Sequence, residues 1–261
     1  NGRQAVLMAP TEILAEQHYR KLADWLAPIG LEVAWLSGSR KKKEREATMA
    51  RLAAGEILLA VGTHALIEDP VALPLLALAV VDEQHRFGVR QRLALREKGQ
   101  AGESPHMLMM SATPIPRTLA MSYYADLDVS VLDELPPGRT PIVTKLVSEQ
   151  RRDEVIRRVH DACVAGRQAY WVCPLIEESE ALQLKTAQES FEMLTAALPD
   201  LKVGLVHGRL KNDEKSATMA AFSANEVQVL VATTVIEVGV DVPNASLMVI
   251  EHAERFGLAQ L

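Results

Sequence analysis

Two adjacent carboxylates, Asp82 and Glu83, stand directly after the apolar run Leu78–Val81. Such a run is typical of a strand buried on both faces, and an α/β sheet binds its ligands at the ends of these strands. Phosphoryl transfer needs a magnesium ion, which proteins hold through few carboxylates and several waters, and a group that orients the attacking water. We therefore interpret Asp82 as a magnesium ligand acting through water and Glu83 as the water-orienting residue. The alternative is a strand that simply ends in two solvated acids.

A second polar segment, Ser111-Ala112-Thr113-Pro114, follows another apolar run at Met107–Met110. If the two strands are neighbours, their ends lie at the same edge of the sheet. We then expect the hydroxyls of this segment to lie beside His85.

Asp-Glu-x-His followed by Ser-Ala-Thr resembles the paired motifs of superfamily-2 helicases. In that family the acidic motif hydrolyses ATP, and the hydroxyl motif couples hydrolysis to movement on nucleic acid. The resemblance implies that Asp82, Glu83 and His85 are catalytic. It assigns the coupling role to Ser111 and Thr113, and it implies ATP and Mg²⁺ as cofactors.

Four further segments resemble the helicase motifs in order along the chain. Two of them put small or hydroxyl residues at a strand-to-helix junction, where backbone N–H groups can hold a phosphate. The family implies DNA contacts for Pro10, Thr11, Gly62, Thr63, His64, His207, Gly208, Thr233 and Thr234. It implies nucleotide contacts for Gly239 and Asp241. Thr11 and Ser111 as plain helix caps, and Gly62 and Gly208 as turn residues, are the alternatives.

Three longer stretches, 82–89, 110–119 and 254–261, are similar to the RecG-type helicases nearly letter for letter. That resemblance implies an ATP-dependent double-stranded DNA translocase that remodels replication forks and Holliday junctions in recombination and repair. It also implies a monomer on branched DNA, with no membrane contact, in the bacterial cytoplasm at the nucleoid. One alternative is a transcription-repair coupling translocase, against which His85 argues. The other is a non-enzymatic DNA-binding scaffold, against which the intact acidic and hydroxyl motifs argue.

Within these 261 residues no Gly-Lys-Ser/Thr phosphate loop occurs. The resemblance implies that the arginine-rich motif of the family lies beyond Leu261. The loop's amides and lysine hold the β- and γ-phosphates in motors of this class. We therefore expect both domains to be truncated, as in a fragment of a helicase core. We also expect this polypeptide alone to hydrolyse ATP negligibly.

The elements that must position these residues alternate between short apolar runs and amphipathic stretches. This alternation predicts α/β architecture with parallel sheets covered by helices. The resemblance implies two RecA-like domains of the P-loop NTPase type.

We predict a first domain at 1–135, a linker region at 136–147 around a Pro-Pro-Gly break, and a second domain at 148–261. The two halves share this architecture, and we expect no repeat of sequence between them. The predicted strands are Ala5–Ala9, Val33–Leu36, Ile57–Val61, Leu78–Val81, Met107–Met110, Val129–Leu132, Ile142–Val147, Ala169–Cys173, Val203–Val206, Val227–Val231 and Leu247–Ile250.

Composition is that of an ordinary globular protein, with 48% hydrophobic and 24% charged residues. The net charge of −6 argues weakly against nucleic acid, although an acidic total can hide a local basic groove. Cys163 and Cys173 fit no metal spacing and no disulfide framework, which favours two thiols in a reducing compartment.

A basic helix start, Arg40–Arg45, is the remaining feature. It is either a solvated surface or a DNA contact. Lysines at a helix start oppose the helix dipole, which favours an external anionic partner.

Overall fold

The computed structural model describes residues 2–38, 40–99, 104–112, 128–135, 141–174, 180–233 and 242–256. The chain forms two compact units. In the described part of the chain, unit 1 comprises residues 2–112 and unit 2 comprises residues 128–256.

Unit 1 contains a five-stranded parallel sheet. Its strands, in the spatial order β2-β3-β1-β4-β5, are β1 (Gln4–Met8), β2 (Val33–Leu36), β3 (Leu59–Gly62), β4 (Leu76–Val81) and β5 (His106–Met109). Apolar residues dominate the central strands, and Val6, Ala60 and Ala79 are fully buried, whereas several residues between them are only partly buried. The helices are α1 (Glu12–Leu26), α2 (Lys42–Ala53) and α3 (Val89–Glu97).

Unit 2 contains a four-stranded parallel sheet. Its strands, in the spatial order β7-β8-β6-β9, are β6 (Gln168–Val172), β7 (Val203–Val206), β8 (Val229–Ala232) and β9 (Ala245–Ile250). The helices are α4 (Arg152–Val164), α5 (Glu180–Ala197) and α6 (Asn212–Ser223). Aliphatic residues and Trp171 fill the core. The predicted fold of two parallel α/β domains is confirmed.

The strand order of unit 2 matches that of the first four strands of unit 1, with β6, β7, β8 and β9 in the places of β1, β2, β3 and β4. A sequence repeat follows the same correspondence. Each residue from 33 to 63 aligns without a gap with the residue 170 positions later, and 12 of these 31 positions are identical. In both copies a residue with positive φ, Gly55 or Asn225, lies two positions after the end of the helix. The expectation that the halves share no sequence repeat is therefore wrong.

A buried glutamine begins the central strand of each unit, Gln4 in β1 and Gln168 in β6. The Gln4 side-chain amide donates to the carbonyls of Leu52 and Ile57. The Gln168 amide donates to the matching carbonyls of Phe222 and Val227. Because buried carbonyls must be satisfied, each glutamine fixes the end of its helix–strand connection against the sheet.

Most predicted strands lie within one or two residues of their observed bounds. The segments Val129–Leu132 and Ile142–Val147 differ, because neither is in a strand and their apolar side chains are largely exposed. Local composition favours strands there, but neither segment pairs with a described strand. The Pro-Pro-Gly break at 136–140 lies outside the described residues. The predicted domain bounds 1–135, 136–147 and 148–261 stay a prediction.

Among the helices that the structure describes, none combines the length and the apolar character needed to cross a membrane.

Candidate nucleotide and nucleic-acid site

The candidate site of unit 1 lies at the carboxyl edge of its sheet, where the parallel strands end. Strand β4 leads directly into Asp82 and Glu83, and β5 leads into Ser111. The pairing of β4 with β5 continues past both strands, since Met110 N donates to Val81 O and Gln84 N donates to Met110 O. This continuation brings the two polar segments together.

Glu83, His85 and Ser111 form a compact polar group at this edge. His85 Nδ1 lies 3.4 Å from Glu83 Oε2 and 3.5 Å from Ser111 Oγ. The structure therefore places Ser111 beside His85, as expected from neighbouring strands. Glu83 Oε2 is buried and accepts no hydrogen bond from the described residues. A carboxylate oxygen that has no donor among these residues is suited to accept a hydrogen bond from a water molecule.

Asp82 is held by two hydrogen bonds. Its Oδ1 accepts from the backbone N–H of Glu83, and its Oδ2 lies 2.7 Å from His18 Nε2 on α1. The hydrogen bond to His18 lowers the pKa of Asp82, so the carboxylate stays ionised. Sequence reasoning missed His18. The available signal was its helical spacing from the buried residues Leu14 and Ala15, which puts a polar side chain on the buried face of α1.

A magnesium ion would fit this arrangement with few direct protein ligands. Among the residues that the structure describes, no cluster of three or more acidic, histidine or cysteine side chains could hold a metal. Mg²⁺ commonly binds through one or two carboxylates while it keeps several waters. The ionised Asp82 meets that requirement.

The loop that carries these residues has an unusual backbone. Glu83 adopts the left-handed conformation (φ 49°, ψ 52°), and a 3-10 helix at Gln84–Arg86 follows. Phe87 is buried and ends the turn by donating its N–H to Gln84 O. A non-glycine residue with positive φ is sparsely populated and costs of order 1 kcal/mol or more, and such residues cluster at functional sites.

The same loop occurs in unit 2 after β9. His252 adopts φ 49° and ψ 50°, a 3-10 helix follows at Ala253–Arg255, and Phe256 N donates to Ala253 O. His252 Nδ1 lies 3.4 Å from Glu254 Oε1, so the histidine and the glutamate have exchanged positions relative to unit 1. The sequence offered a signal for this repeat, because Arg-Phe-Gly occurs at both 86–88 and 255–257.

Glu251 takes the place of Asp82 in unit 2, but its surroundings differ. Its carboxylate pairs with Arg152 and accepts from Ser190 Oγ at 2.9 Å. The Cys173 thiol also lies against it, and burial raises the pKa of that thiol to about 12. The acid of unit 2 is therefore paired with an arginine, whereas the equivalent Asp82 of unit 1 is hydrogen-bonded to His18.

The predicted DNA-contacting residues of unit 1 lie at the ends of β1 and β3. Thr11 caps α1, because its hydroxyl accepts from Leu14 N at 3.4 Å, which agrees with the structural alternative. Gly62 has a structural reason as well, since a Cβ there would lie 2.1 Å from Leu36 O. His64 is exposed, whereas Thr63 is buried and its hydroxyl has no partner among the described residues. Pro10 is half-buried.

The corresponding residues of unit 2 follow β7 and β8. Thr233 occupies the place of Thr63, and both donate their N–H at 3.3 Å to the end of the neighbouring strand, Val206 O and Leu36 O respectively. His207 is half-buried and Gly208 is exposed. Burial lowers the pKa of His207, so its ring favours the neutral form. Thr113, Thr234, Gly239 and Asp241 lie outside the described residues.

Comparison with known proteins finds helicases along the chain. Residues 1–122 match the family model of the DEAD/DEAH box helicases, and residues 147–260 match the helicase conserved C-terminal domain. The chain is 60% identical over 263 residues to the ATP-dependent DNA helicase RecG of Escherichia coli K12, covering all of this chain and 38% of that protein. It is 51% identical over 261 residues to RecG of Aquifex aeolicus, covering all of this chain and 33% of that protein.

Two solved structures extend the comparison. RecG bound to a three-way DNA junction matches with a TM-score of 0.75 and 43% identity, over 99% of this chain and 33% of that one. The DEAD-box helicase Mss116 bound to single-stranded RNA and UDP-BeF matches with a TM-score of 0.70 and 19% identity, over 95% of this chain and 54% of that one. The second match shows the fold alone. The chain spans less than two-fifths of the length of the RecG relatives that it matches.

Proposed function

Because the chain belongs to the RecG-type family of superfamily-2 helicases, we propose that it forms the motor core of an ATP-dependent helicase that translocates on double-stranded DNA. The substrate is branched DNA, including replication forks and Holliday junctions, in recombination and repair. The observation that carries the proposal is the grouping of Glu83, His85 and Ser111, which joins an acidic strand end to a hydroxyl on the neighbouring strand.

Asp82 and the residues of this group have separate tasks in the proposed hydrolysis of ATP. Asp82, ionised through its bond to His18, would hold Mg²⁺ through water, and the ion would supply charge neutralisation at the phosphates. Glu83 orients the attacking water through its buried oxygen and accepts the proton. His85 lies between Glu83 and Ser111. A change in the position or protonation of Glu83 would therefore be transmitted through His85 to the segment after β5 that carries Ser111. Thr113 shares the coupling role, and Gly239 and Asp241 bind the nucleotide.

DNA contacts in this proposal come from both units. The buried Thr63 and Thr233 hold equivalent positions at the strand ends, which supports a common phosphate-contacting role. Pro10, Thr11, Gly62, His64, His207, Gly208 and Thr234 complete the proposed set. The intact protein acts as a monomer on DNA in the bacterial cytoplasm, at the nucleoid. That the 261 residues alone hydrolyse ATP negligibly stays a prediction.

The test measures steady-state ATP hydrolysis by the intact protein with a synthetic three-way DNA junction. Glu83→Gln removes the carboxylate that orients water, and loss of a general base lowers turnover by about 10²-fold or more. ATP binding, followed with a fluorescent analogue, should persist. Glu97→Gln, an exposed acid at the end of α3, is the matched control. A Glu83→Gln protein with turnover within threefold of the unmodified protein would overturn the assignment.

A further inference from the structure

The basic start of α2 lies at the same edge of the unit 1 sheet as the proposed DNA contacts. Strand β2 neighbours β3, and Leu36 O at the end of β2 accepts from Thr63 N. The chain then runs through Gly38 to Lys41, Lys42 and Lys43, which we term the lysine cluster. Parallel strands end at one edge, so the lysine cluster follows the strand beside the Gly62–His64 segment.

A buried contact fixes this edge. Ser37 is fully buried, and its hydroxyl donates to Glu12 at the start of α1. Glu12 directly follows the proposed DNA-contacting residues Pro10 and Thr11. The segments that follow β1, β2 and β3 are therefore tied together, and the lysine cluster is held at a defined place beside the other two.

The charge of the lysine cluster is largely unneutralised. The flanking arginines are paired, Arg40 with Glu44 at 3.4 Å and Arg45 with Glu68 at 3.7 Å. Lys42 lies 3.9 Å from Glu46, and its side chain is 87% exposed. In the described portions of the chain, Lys41 and Lys43 form no ion pair. Positive charges at a helix start oppose the helix dipole, so the cluster does not serve the helix itself.

The internal repeat shows that the fold does not require these lysines. Helix α6 begins after β7 at the position equivalent to α2, and it follows His207–Gly208, a proposed DNA contact. Its start reads Lys211-Asn212-Asp213-Glu214, where α2 reads Lys-Lys-Lys-Glu. The same helix thus forms with a neutral and an acidic residue in place of Lys42 and Lys43.

We propose that the lysine cluster binds the phosphate backbone of double-stranded DNA and extends the contact surface of unit 1 beyond β1 and β3 to β2. The inference rests on the proposed function, because it takes DNA as the partner. Contacts of this kind position a protein on DNA independently of base sequence and weaken with salt.

The test replaces two lysines by the residues of the repeat, Lys42→Asn with Lys43→Asp, in the intact protein. Binding to a three-way junction is followed by fluorescence anisotropy over a range of salt concentrations. The slope of log K against log salt should become shallower by about 2, since each phosphate contact contributes roughly 0.9. The melting temperature should stay unchanged or rise, because an acid near a helix start is favourable. Weaker binding without lost stability separates a DNA contact from a structural role.

Controls separate a local contact from a change in net charge. Arg167→Asn with Lys202→Asp gives the same charge change at two exposed positions just before β6 and β7, and it should keep the original slope. Lys42→Arg with Lys43→Arg should also keep it. Lys41→Gln with Lys43→Gln adds no acid, and it should make the slope shallower as the first variant does.

An unchanged slope in the lysine variants, or an equal change in the Arg167 and Lys202 control, would overturn the inference while the proposed function stands. An unmodified protein that fails to bind the junction would overturn the proposed function itself.

Discussion

His18 Nε2 lies 2.7 Å from Asp82 Oδ2, across 64 positions of sequence. The contact joins the inner face of α1 to the end of β4 and lowers the pKa of the acid that we assign to magnesium. Helix α1, which Thr11 caps, therefore also supports the proposed hydrolytic site. One helix therefore connects the two proposed sites of unit 1.

Replacing His18 by Ala should lower ATP turnover of the intact protein about tenfold, because Asp82 loses the donor that orients it and favours its charged form. The measurement is DNA-stimulated turnover at several magnesium concentrations, and the apparent magnesium requirement should rise. Arg20→Ala, which removes an exposed pair with Glu16 on the same helix, should change neither quantity. An unchanged magnesium requirement in His18→Ala would count against a positioning role.

The exchanged pairs Glu83–His85 and His252–Glu254 allow a reciprocal test of the repeated loop in unit 2. His252→Glu alone leaves two carboxylates together and should lower the melting temperature by about 1–3 °C, as expected for an exposed pair. His252→Glu with Glu254→His restores the order found in unit 1, where a glutamate already adopts the left-handed backbone. Calorimetry of the intact protein should show recovery to the original value. No recovery would mean that the two loops are not equivalent.

Arg152 and Glu251 should be strongly coupled in stability. Glu251 is only 11% exposed, so Arg152→Met leaves a nearly buried carboxylate without its charge partner. Removing one partner of such a pair costs about 3–5 kcal/mol when fully buried, and the partial exposure of Arg152 reduces this to about 2 kcal/mol. Denaturant unfolding should show that loss, and Arg152→Met with Glu251→Gln should recover much of it. Arg158→Met, which breaks an exposed pair with Glu154, should have little effect.

His160 provides a pH-dependent contact on the surface of unit 2. Its Nε2 lies 2.9 Å from Asp200 Oδ2, and this bond raises the pKa of His160 and lowers that of Asp200. A raised histidine pKa stabilises the fold at low pH, and this contribution is lost as the pH rises through the folded-state pKa. Because the pKa of Asp200 is lowered, the stabilisation from this pair is also lost as the pH falls through the folded-state pKa of Asp200. Histidine NMR should show the His160 pKa falling in Asp200→Asn, and no fall would exclude the contact.

Much of this structure could be predicted from local pattern. Continuous apolar runs predicted the buried strands, and the residue type of Thr11 marked it as a candidate cap of the helix that follows it. Acids directly after β4 and hydroxyls directly after β5 marked the strand ends that carry the candidate chemistry. Each of these inferences depends on residues within a few positions of one another.

The tertiary structure decided which of those strand ends meet. The order β2-β3-β1-β4-β5 brings Ser111 to His85, His18 to Asp82 and the lysine cluster to the edge beside Thr63. The structure of unit 2 likewise pairs Glu251 with Arg152, whereas Asp82 contacts His18. Within the described residues, Val129–Leu132 and Ile142–Val147 pair with no strand. Hydrophobic periodicity reports whether a segment is buried, but not which distant segment lies beside it. Which strands become neighbours depends on how the whole sheet and its covering helices pack. For this reason only the folded chain defines the site.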